Sequence, residues 1–259
     1  MLTKSELKML LRSRSWSLTR SRRRSFVTGE ELQDYQWNGR AVHYRPGTSD
    51  AHLIYGILLK KGKKAEYRLP EKLAPKVILD IGANIGISAL YFADRFPGAD
   101  IYAFEPMPEN FAVLKRNAEG TRIVPINVAL DATDGQRELI LSPDQGNFGG
   151  LSFFQRGAAA DAKRVTVTTR NPASILRELG IEKVGMIKID TEGAEYPILT
   201  SIDEKLLREV TWVTGELHGE QDFALLAYLS QWFEIEVKRN FKKPLFIFNA
   251  CNKNALDLV

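Results

Sequence analysis

A single cysteine, Cys251, occurs in the 259 residues, so an internal disulfide is excluded and a reducing compartment is the simplest setting. The sequence also lacks any run of about 18 apolar residues, and we therefore expect no transmembrane helix. Its basic N-terminus has no continuous apolar block of the kind that a secretory signal requires. Together these absences predict a cytoplasmic protein.

An excess of basic charge is confined to one end of the chain. Residues 1–24 contain eight Lys and Arg and one acid, Glu6, a net charge of +7, whereas the whole chain carries +4. The remainder is therefore slightly acidic, which argues against a nucleic-acid partner. The basic residues predict at most a weak contact with an anionic membrane or an acidic acceptor.

The order of the chain suggests three segments. Residues 1–29 form a basic N-terminal arm, residues 30–75 a connecting segment on the substrate side, and residues 76–259 a regular domain. Thr3 and Glu6 predict a capping box for a short helix at the start of the arm. The alternation of Ser and Arg that follows predicts neither helix nor buried core.

Beyond residue 75, apolar strands alternate with helices. Strands are predicted at 76–82, 101–105, 122–128, 184–190, 210–216, 233–239 and 245–250, with two additional strands at 137–142 and 164–169. Helices are predicted at 85–95, 108–119, 172–179, 194–206 and 220–231, after a strand near 41–45 and a helix at 51–60 in the connecting segment. This pattern predicts a Rossmann-like α/β fold: a mainly parallel seven-stranded sheet with helices on both faces and a C-terminal antiparallel hairpin.

The sharpest local motif is LDIGANIG, residues 79–86, which joins a strong strand to a helix. Gly82 permits a tight turn, and Gly86 is expected to let the backbone approach a ligand. Asn84 stands where a third glycine is common. The spacing G-x-N-x-G suits the methionine end of S-adenosylmethionine (SAM) better than it suits a pyrophosphate.

Other candidate cofactor residues surround this turn. Glu105 ends the second strand, 19 residues beyond Gly86, where an acid is placed to accept hydrogen bonds from ribose hydroxyls. Asp80, inside the first strand, is expected near the amino group of the cofactor. Met107 and Asn127 are candidates for the adenine face and edge, with core packing and a strand-end cap as equally strong alternatives.

The ends of the next two strands carry candidate catalytic groups. Asp190 is the best candidate to hold or deprotonate an acceptor hydroxyl, and His218 is the alternative base because an ordinary imidazole titrates near neutrality. Glu192 lies close to Asp190 in sequence, and Lys188 is expected to form an internal ion pair with Asp190 or Glu216. Asp190, Glu216 and His218 also form an acceptable ligand set for Mg²⁺, although their spacing is not a specific metal signature and no metal is favoured.

Five segments resemble the FkbM family of methyltransferases: VILDIGANIG, FEPMPENFAVLKRN, NVAL, IKIDTEGAE and the upstream GTSD. IKIDTEGAE is the most specific of them, and the resemblance extends from about Arg45 to the C-terminus. It implies a class I methyltransferase fold, SAM as methyl donor, and O-methylation of a sugar, glycan or polyketide hydroxyl. By motif match it implies cofactor roles for Asp80, Gly82, Asn84, Gly86 and Glu105, and reaction-site roles for Asp190 and Glu192.

Three other functions remain open at this point. An NAD(P)-dependent oxidoreductase conflicts with the glycine spacing, and the presence of Asp190 together with Glu105 argues mildly against a SAM-binding module that kept the fold but lost turnover. An RNA methyltransferase lacks interleaved aromatic and basic residues in the globular part. The sequence therefore predicts an O-methyltransferase for a small-molecule or glycan acceptor, whose identity depends on loops such as 143–163.

Overall fold

The structure, a computed structural model, describes residues 2–21, 23–27, 29–62, 65–140, 164–218, 221–239 and 246–258. Within those ranges, every helix is too short or too polar to cross a lipid bilayer. The whole of segment 143–163, which the sequence assigns to acceptor recognition, lies outside the described residues.

The N-terminal segments form two helices, a hairpin and an irregular helix. They are α1 (Lys4–Ser13), α2 (Trp16–Ser21), β1 (Gln33–Trp37), β2 (Arg40–Tyr44) and α3 (Asp50–Leu53), which continues as a π-helical turn over Ile54–Leu59. The capping box of α1 is confirmed: the Thr3 N–H donates to Glu6 at 2.7 Å, and the Glu6 N–H donates to Thr3 Oγ1 at 3.3 Å. Strand β1 has no counterpart among the sequence predictions.

The expectation that the Ser and Arg alternation forms neither helix nor core is wrong. Helix α2 lies there, and its Leu18 is fully buried in the same apolar cluster as Met9 of α1. Tyr35 of the hairpin donates to the Ser13 carbonyl at 3.2 Å, so the arm is attached by hydrogen bonds as well. Tertiary burial has overridden a weak local helix propensity.

The regular domain follows in chain order. Its elements are β3 (Val77–Ile81), α4 (Ile87–Arg95), β4 (Asp100–Phe104), α5 (Pro108–Ala118), β5 (Ile123–Ile126), β6 (Ala129–Leu130), β7 (Gly135–Ile140), β8 (Arg164–Arg170), α6 (Pro172–Glu178), β9 (Met186–Ile189), α7 (Glu195–Thr200), α8 (Glu204–Glu209), β10 (Trp212–Leu217), α9 (Asp222–Leu229), β11 (Phe233–Arg239), β12 (Phe246–Asn252) and a 3₁₀ helix (Lys253–Leu258). The helix predicted at 194–206 is two helices, because Asp203 caps α8 by accepting from the Leu206 N–H.

The predicted seven-stranded sheet is confirmed, with the order β11-β12-β10-β9-β3-β4-β5. Strands β3, β4, β5, β9 and β10 are parallel, and β12 is antiparallel to both β10 and β11, which is the predicted hairpin. The two additional strands, β7 and β8, form a separate small sheet with β6. Strand order reverses between β3 and β9, and in open α/β sheets ligands bind outside the carboxyl ends of strands at such a point.

Both faces of the sheet are covered by apolar residues. Ile78 and Leu79 are consecutive in β3, and they belong to different buried clusters because side chains alternate along a strand. The cluster that contains Ile78 also contains residues of α1, α2, β1 and β2. The N-terminal segments therefore cover one face of the sheet and share its core.

Candidate active site

A cavity of about 580 Å³ opens at the carboxyl ends of β3, β4, β9 and β10. This volume lies in the range of small-molecule sites. Gly82 and Asn84 line one part of it together with Glu105, and Asp190 and Glu192 line another. One cavity therefore contains residues of both groups that the sequence predicted: the candidate cofactor residues after β3 and β4 and the candidate catalytic residues after β9.

The opposite wall comes from the connecting segment. Most of its residues recur at helical spacing along α3 and the π-helical turn: Ser49, His52, Leu53, Gly56, Ile57 and Lys60, with Tyr55 beside them. Sequence reasoning gave His52 no role, although this spacing in an otherwise apolar helix was a usable signal. Tyr67 and Glu66 complete this wall.

The loop after β3 is pressed against the backbone that follows β9. Gly82 has a φ of +76°, and a Cβ at this position would lie 1.9 Å from the Asp190 carbonyl oxygen. Asn84 also adopts positive φ, at +51°. Gly82 is therefore required both for its conformation and for the close approach of two chain segments.

The expectation that Gly86 lets the backbone approach a ligand is not what the structure shows. A Cβ at Gly86 would lie 2.6 Å from Leu114 Cδ1, so the space is taken by helix α5. Gly86 permits packing between the loop and that helix, and it does not line the cavity. Its left-handed φ of +84° also starts helix α4.

Glu105 holds the loop through backbone hydrogen bonds. Its Oε2 accepts from the Asn84 N–H at 2.8 Å, and its Oε1 accepts from the Met107 N–H at 2.9 Å and from Asn110 Nδ2 at 3.3 Å. Burial raises the pKa of Glu105, while these hydrogen bonds oppose the rise. Glu105 lines the cavity at the end of β4, as the sequence predicted.

Asp80 supports the loop from below and does not line the cavity. It is fully buried, accepts from Ser88 Oγ at 2.6 Å and lies 3.2 Å from Lys188 Nζ. Lys188 also donates to the Gly82 carbonyl at 2.7 Å. The predicted internal ion pair of Lys188 exists, but its partner is Asp80, because β3 and β9 are hydrogen-bonded neighbours with these two residues in register.

Met107 and Asn127 both take their alternative, structural roles. Met107 packs with Ala129, Leu139 and Val167, where the small sheet covers it. Asn127 donates to the carbonyls of Glu105 at 2.8 Å and Pro106 at 3.0 Å, which makes it a strand-end cap. Neither residue lines the cavity, whereas Val128, Ala129 and Leu130 do.

His218 lies among four carboxylates. Its Nε2 is 3.1 Å from Glu216 Oε2, 3.8 Å from Glu192 Oε2 and 4.0 Å from Asp190 Oδ1, and its Nδ1 is 3.3 Å from Glu195 Oε1. Although burial lowers the pKa of His218, the hydrogen bonds to Glu195 and Glu216 and the surrounding charges raise it to about 11. An imidazole that is protonated at neutral pH cannot accept a proton, so these contacts favour a carboxylate over His218 as the base.

The carboxylates beside the imidazolium titrate near neutrality. Burial raises the pKa of Asp190 to about 6, with Lys188 opposing the rise and Glu216 adding to it. Burial also raises the pKa of Glu192 to about 7. Both values suit a group that accepts a proton at physiological pH.

A metal ion is the alternative partner of this cluster. Among the described residues, one oxygen or nitrogen each from Asp190, Glu192 and His218 lie within 4.8 Å of one another, so Glu192 replaces Glu216 in the set that the sequence suggested. A metal-binding imidazole must be neutral. Both nitrogens of His218 face carboxylates at hydrogen-bond distance, which favours the imidazolium over the metal ligand.

The polar groups that line the cavity match the hydrogen-bonding groups of SAM. Two side-chain oxygens of cavity residues, Asn84 Oδ1 and Ser49 Oγ, are buried and have no hydrogen-bond partner in the part of the chain that the structure describes. Buried polar atoms are costly unless they are paired. The glycine loop, Glu105 and these two oxygens thus supply donors and acceptors for an amino acid and a ribose.

The strand order, the glycine loop and the acid after β4 together define a Rossmann-like class I methyltransferase fold. Within this class, the profile of the family described as the methyltransferase FkbM domain matches residues 80–242, more than half of the chain. The chain therefore belongs to the FkbM methyltransferase family, as the sequence motifs predicted.

Named relatives show the breadth of the family. The chain is 26% identical over 201 residues to the 31-O-demethyl-FK506 methyltransferase FkbM of Streptomyces tacrolimicus, covering 66% of this chain and 71% of that protein. It is 27% identical over 157 residues to the hexuronic acid methyltransferase AglP of Haloferax volcanii, covering 60% and 61%. It is 27% identical over 188 residues to the AMB antimetabolite synthetase AmbE of Pseudomonas aeruginosa, covering 57% of this chain but only 9% of that protein.

Proposed function

We propose that this protein is a SAM-dependent O-methyltransferase that acts on a hydroxyl group of a small molecule or glycan. The observation that carries the proposal is the single cavity that joins the glycine loop and Glu105 to the Asp190 and Glu192 carboxylates. The names of the FkbM and AglP relatives, which give 31-O-demethyl-FK506 and hexuronic acid as their acceptors, support this class of acceptor.

The roles of the residues follow from their positions. SAM, when bound, supplies an already activated methyl group, so the protein must orient an acceptor and remove one proton. Asp190 lines the cavity at the end of β9 and is partly exposed to it, so it accepts the hydroxyl proton. Glu192, whose carboxylate lies on the same side of His218, is the second acceptor in reach.

His218 has a positioning role in this proposal. Its positive charge stabilises the ionised forms of Asp190 and Glu192, and its hydrogen bonds connect β10 to α7. The reaction then needs no metal ion, and Mg²⁺ remains the alternative that a chelator would reveal. A cytoplasmic location and the absence of a nucleic-acid partner stay predictions from the sequence.

The test of the function is a panel of hydroxyl-bearing acceptors with isotopically labelled SAM, analysed by mass. We expect a labelled methyl group on oxygen in a sugar or polyketide-like acceptor. Hydride transfer from NAD(P)H, or binding of SAM with no transfer to any acceptor class, would contradict the proposal in favour of the oxidoreductase or the non-catalytic module.

Glu105→Ala is expected to weaken binding of S-adenosylhomocysteine by about tenfold or more, because a hydrogen bond to a charged group contributes roughly 1.5–3 kcal/mol. Isothermal titration calorimetry measures this loss, with NAD as a ligand that should not bind. Glu109→Ala is the matched control, since Glu109 is exposed in the first turn of α5. Equal affinities of the two variants would remove Glu105 from the cofactor site.

The outer side of α1 supports the predicted contact with anionic lipid. Leu7 and Leu11 are 47% and 69% exposed, one helical turn apart, and the exposed residues Lys4 and Lys8 lie beside them. Apolar and basic side chains on one helix side are typical of helices that lie in a membrane interface. We propose that this side of α1 holds the enzyme weakly at an anionic bilayer.

Lys4→Glu combined with Lys8→Glu is expected to weaken binding to phosphatidylcholine–phosphatidylserine vesicles by at least about fivefold per lysine. Leu7→Ser with Leu11→Ser should weaken it too, which a purely electrostatic contact with an acidic polymer would not predict. Lys115→Glu with Arg116→Glu, on the exposed side of α5, is the control. Vesicle sedimentation at several salt concentrations measures the effect, and no sedimentation of the unaltered protein at low salt would refute the contact.

A further inference from the structure

A buried chain of polar side chains connects the GTSD segment to Glu105. Arg45 donates from Nε and Nη2 to the two oxygens of Asp50, at 2.9 Å each, and from Nη2 to Asn110 Oδ1 at 2.8 Å. Asn110 Nδ2 then donates to Glu105 Oε1 at 3.3 Å. All four residues are buried, with exposed fractions of 7% or less. The chain thus links two segments that are 55 residues apart in sequence at the level of Asp50 and Glu105.

The chemistry of these groups allows only one orientation of Asn110. A guanidinium can only donate hydrogen bonds, and an ionised carboxylate can only accept them. The amide between them must therefore present its carbonyl to Arg45 and its NH₂ to Glu105. Arg45 in this way fixes the direction in which Asn110 points its donor, although Arg45 itself lies outside the cavity wall.

Asp50, at the start of this hydrogen-bonded chain, holds the Arg45 side chain in one orientation. It accepts the Arg45 backbone N–H at 2.9 Å as well as the guanidinium, and Thr48 Oγ1 donates to the Arg45 carbonyl at 2.9 Å. A two-bond contact between a guanidinium and a carboxylate restrains both groups in direction. The segment 45–50 is therefore a compact turn that carries a guanidinium in one orientation.

These hydrogen bonds determine which of the two Glu105 oxygens can accept a hydrogen bond from a ligand in the cavity. Oε1 accepts from both the Met107 N–H and Asn110 Nδ2, which uses its two lone pairs. Oε2 accepts from the Asn84 N–H alone, so its second lone pair remains for a ligand hydroxyl. Without the Asn110 donor, Oε1 would keep only the Met107 N–H and could accept from the ligand as well.

We propose that Arg45, Asp50 and Asn110 are positioning residues that hold the Glu105 carboxylate in the orientation in which Oε2 accepts a ribose hydroxyl. This inference rests on the role proposed above for Glu105. A purely stabilising role would not need charges, because a buried ion pair can usually be replaced by apolar side chains of similar volume without loss of stability.

Asn110→Asp is the sharpest test, since it keeps the shape and, when ionised beside the Arg45 guanidinium, accepts from Arg45 and offers Glu105 no donor. We expect the Kd of S-adenosylhomocysteine to rise about tenfold or more, measured by calorimetry. The 2′,3′-dideoxy analogue of the same ligand should lose no affinity in the variant, because it has no hydroxyls for Glu105 to bind. A general structural defect would weaken both ligands equally.

The double replacement Arg45→Met with Asp50→Leu removes the fixed guanidinium while filling its volume. We expect an unchanged far-ultraviolet circular dichroism spectrum and the same selective loss for the ligand with hydroxyls. If this variant does not fold, Asn110→Asp alone decides the question. Tenfold weaker binding by Glu105→Ala together with unaltered binding by Asn110→Asp would overturn the positioning role and leave the role of Glu105 intact. Unaltered binding by Glu105→Ala would overturn both.

Discussion

Asp190→Asn is expected to lower turnover by about 10²–10⁴-fold, the usual contribution of a general base, while the Kd of S-adenosylhomocysteine changes little. The physical reason is that asparagine keeps the size of the side chain but cannot accept the hydroxyl proton. Single-turnover kinetics on an identified acceptor, together with calorimetry, measure the two quantities separately. Asp100→Asn is the control, because Asp100 lies at the amino end of β4, away from the cavity.

The pH profile gives a second test of the same assignment. Asp190 must be ionised to accept a proton, so the rate of the unaltered protein should fall as the pH is lowered through about 6. Asp190→Asn should lose that acid limb. In His218→Gln the limb should move to higher pH, because the imidazolium charge lowers the pKa of Asp190.

Three outcomes would contradict this catalytic assignment. A near-normal rate in Asp190→Asn would exclude Asp190 as the base, and retention of the acid limb in that variant would assign the limb to another group such as Glu192. Inactivation by a chelator with recovery in Mg²⁺ would replace the imidazolium interpretation of His218 with a metal site. The assignment of the cofactor loop would survive each of these results.

Gly82→Ala is expected to abolish measurable cofactor binding and to destabilise the fold by about 3 kcal/mol or more, from backbone strain and overpacking together. The added Cβ would lie 1.9 Å from the Asp190 carbonyl oxygen, so either the glycine loop or the backbone after β9 must move. Both segments line the cavity. Thermal unfolding and calorimetry with S-adenosylhomocysteine measure the two effects.

Gly39→Ala is a matched control for that substitution. Gly39 has nearly the same φ, +79°, but a Cβ there would have no atom within 4 Å. It therefore reports the cost of a left-handed conformation without the collision. If Gly82→Ala and Gly39→Ala lose the same small amount of stability and both bind the cofactor product normally, the close contact between the two loops is not essential.

The N-terminal arm is a segment whose structure local sequence patterns did not predict correctly. After the short helix predicted at its start, the arm alternates Ser with Arg, and that alternation predicts neither helix nor buried core. Leu18 nevertheless lies in the core with Met9, and Glu6 pairs with Arg23. Burial of a few apolar side chains decided the outcome, and that burial depends on a surface formed by residues far along the chain.

The sequence by itself determined the sheet and the position of the site. Strand and helix periodicities are local, and the topology rule for parallel sheets places Gly82, Glu105 and Asp190 at one edge. Family motifs in the same segments predicted the family that the profile match confirms.

Only the tertiary structure decided which side chains meet in space. It paired Lys188 with Asp80, and it packed Met107 into an apolar cluster. Leu114 fills the space beside Gly86. Glu105 lies at the end of a hydrogen-bonded chain that begins at Asp50. It also surrounded His218 with carboxylates and so changed its charge at neutral pH. Such contacts and pKa values arise from distances between remote segments, which the spacing of residues along a chain does not contain.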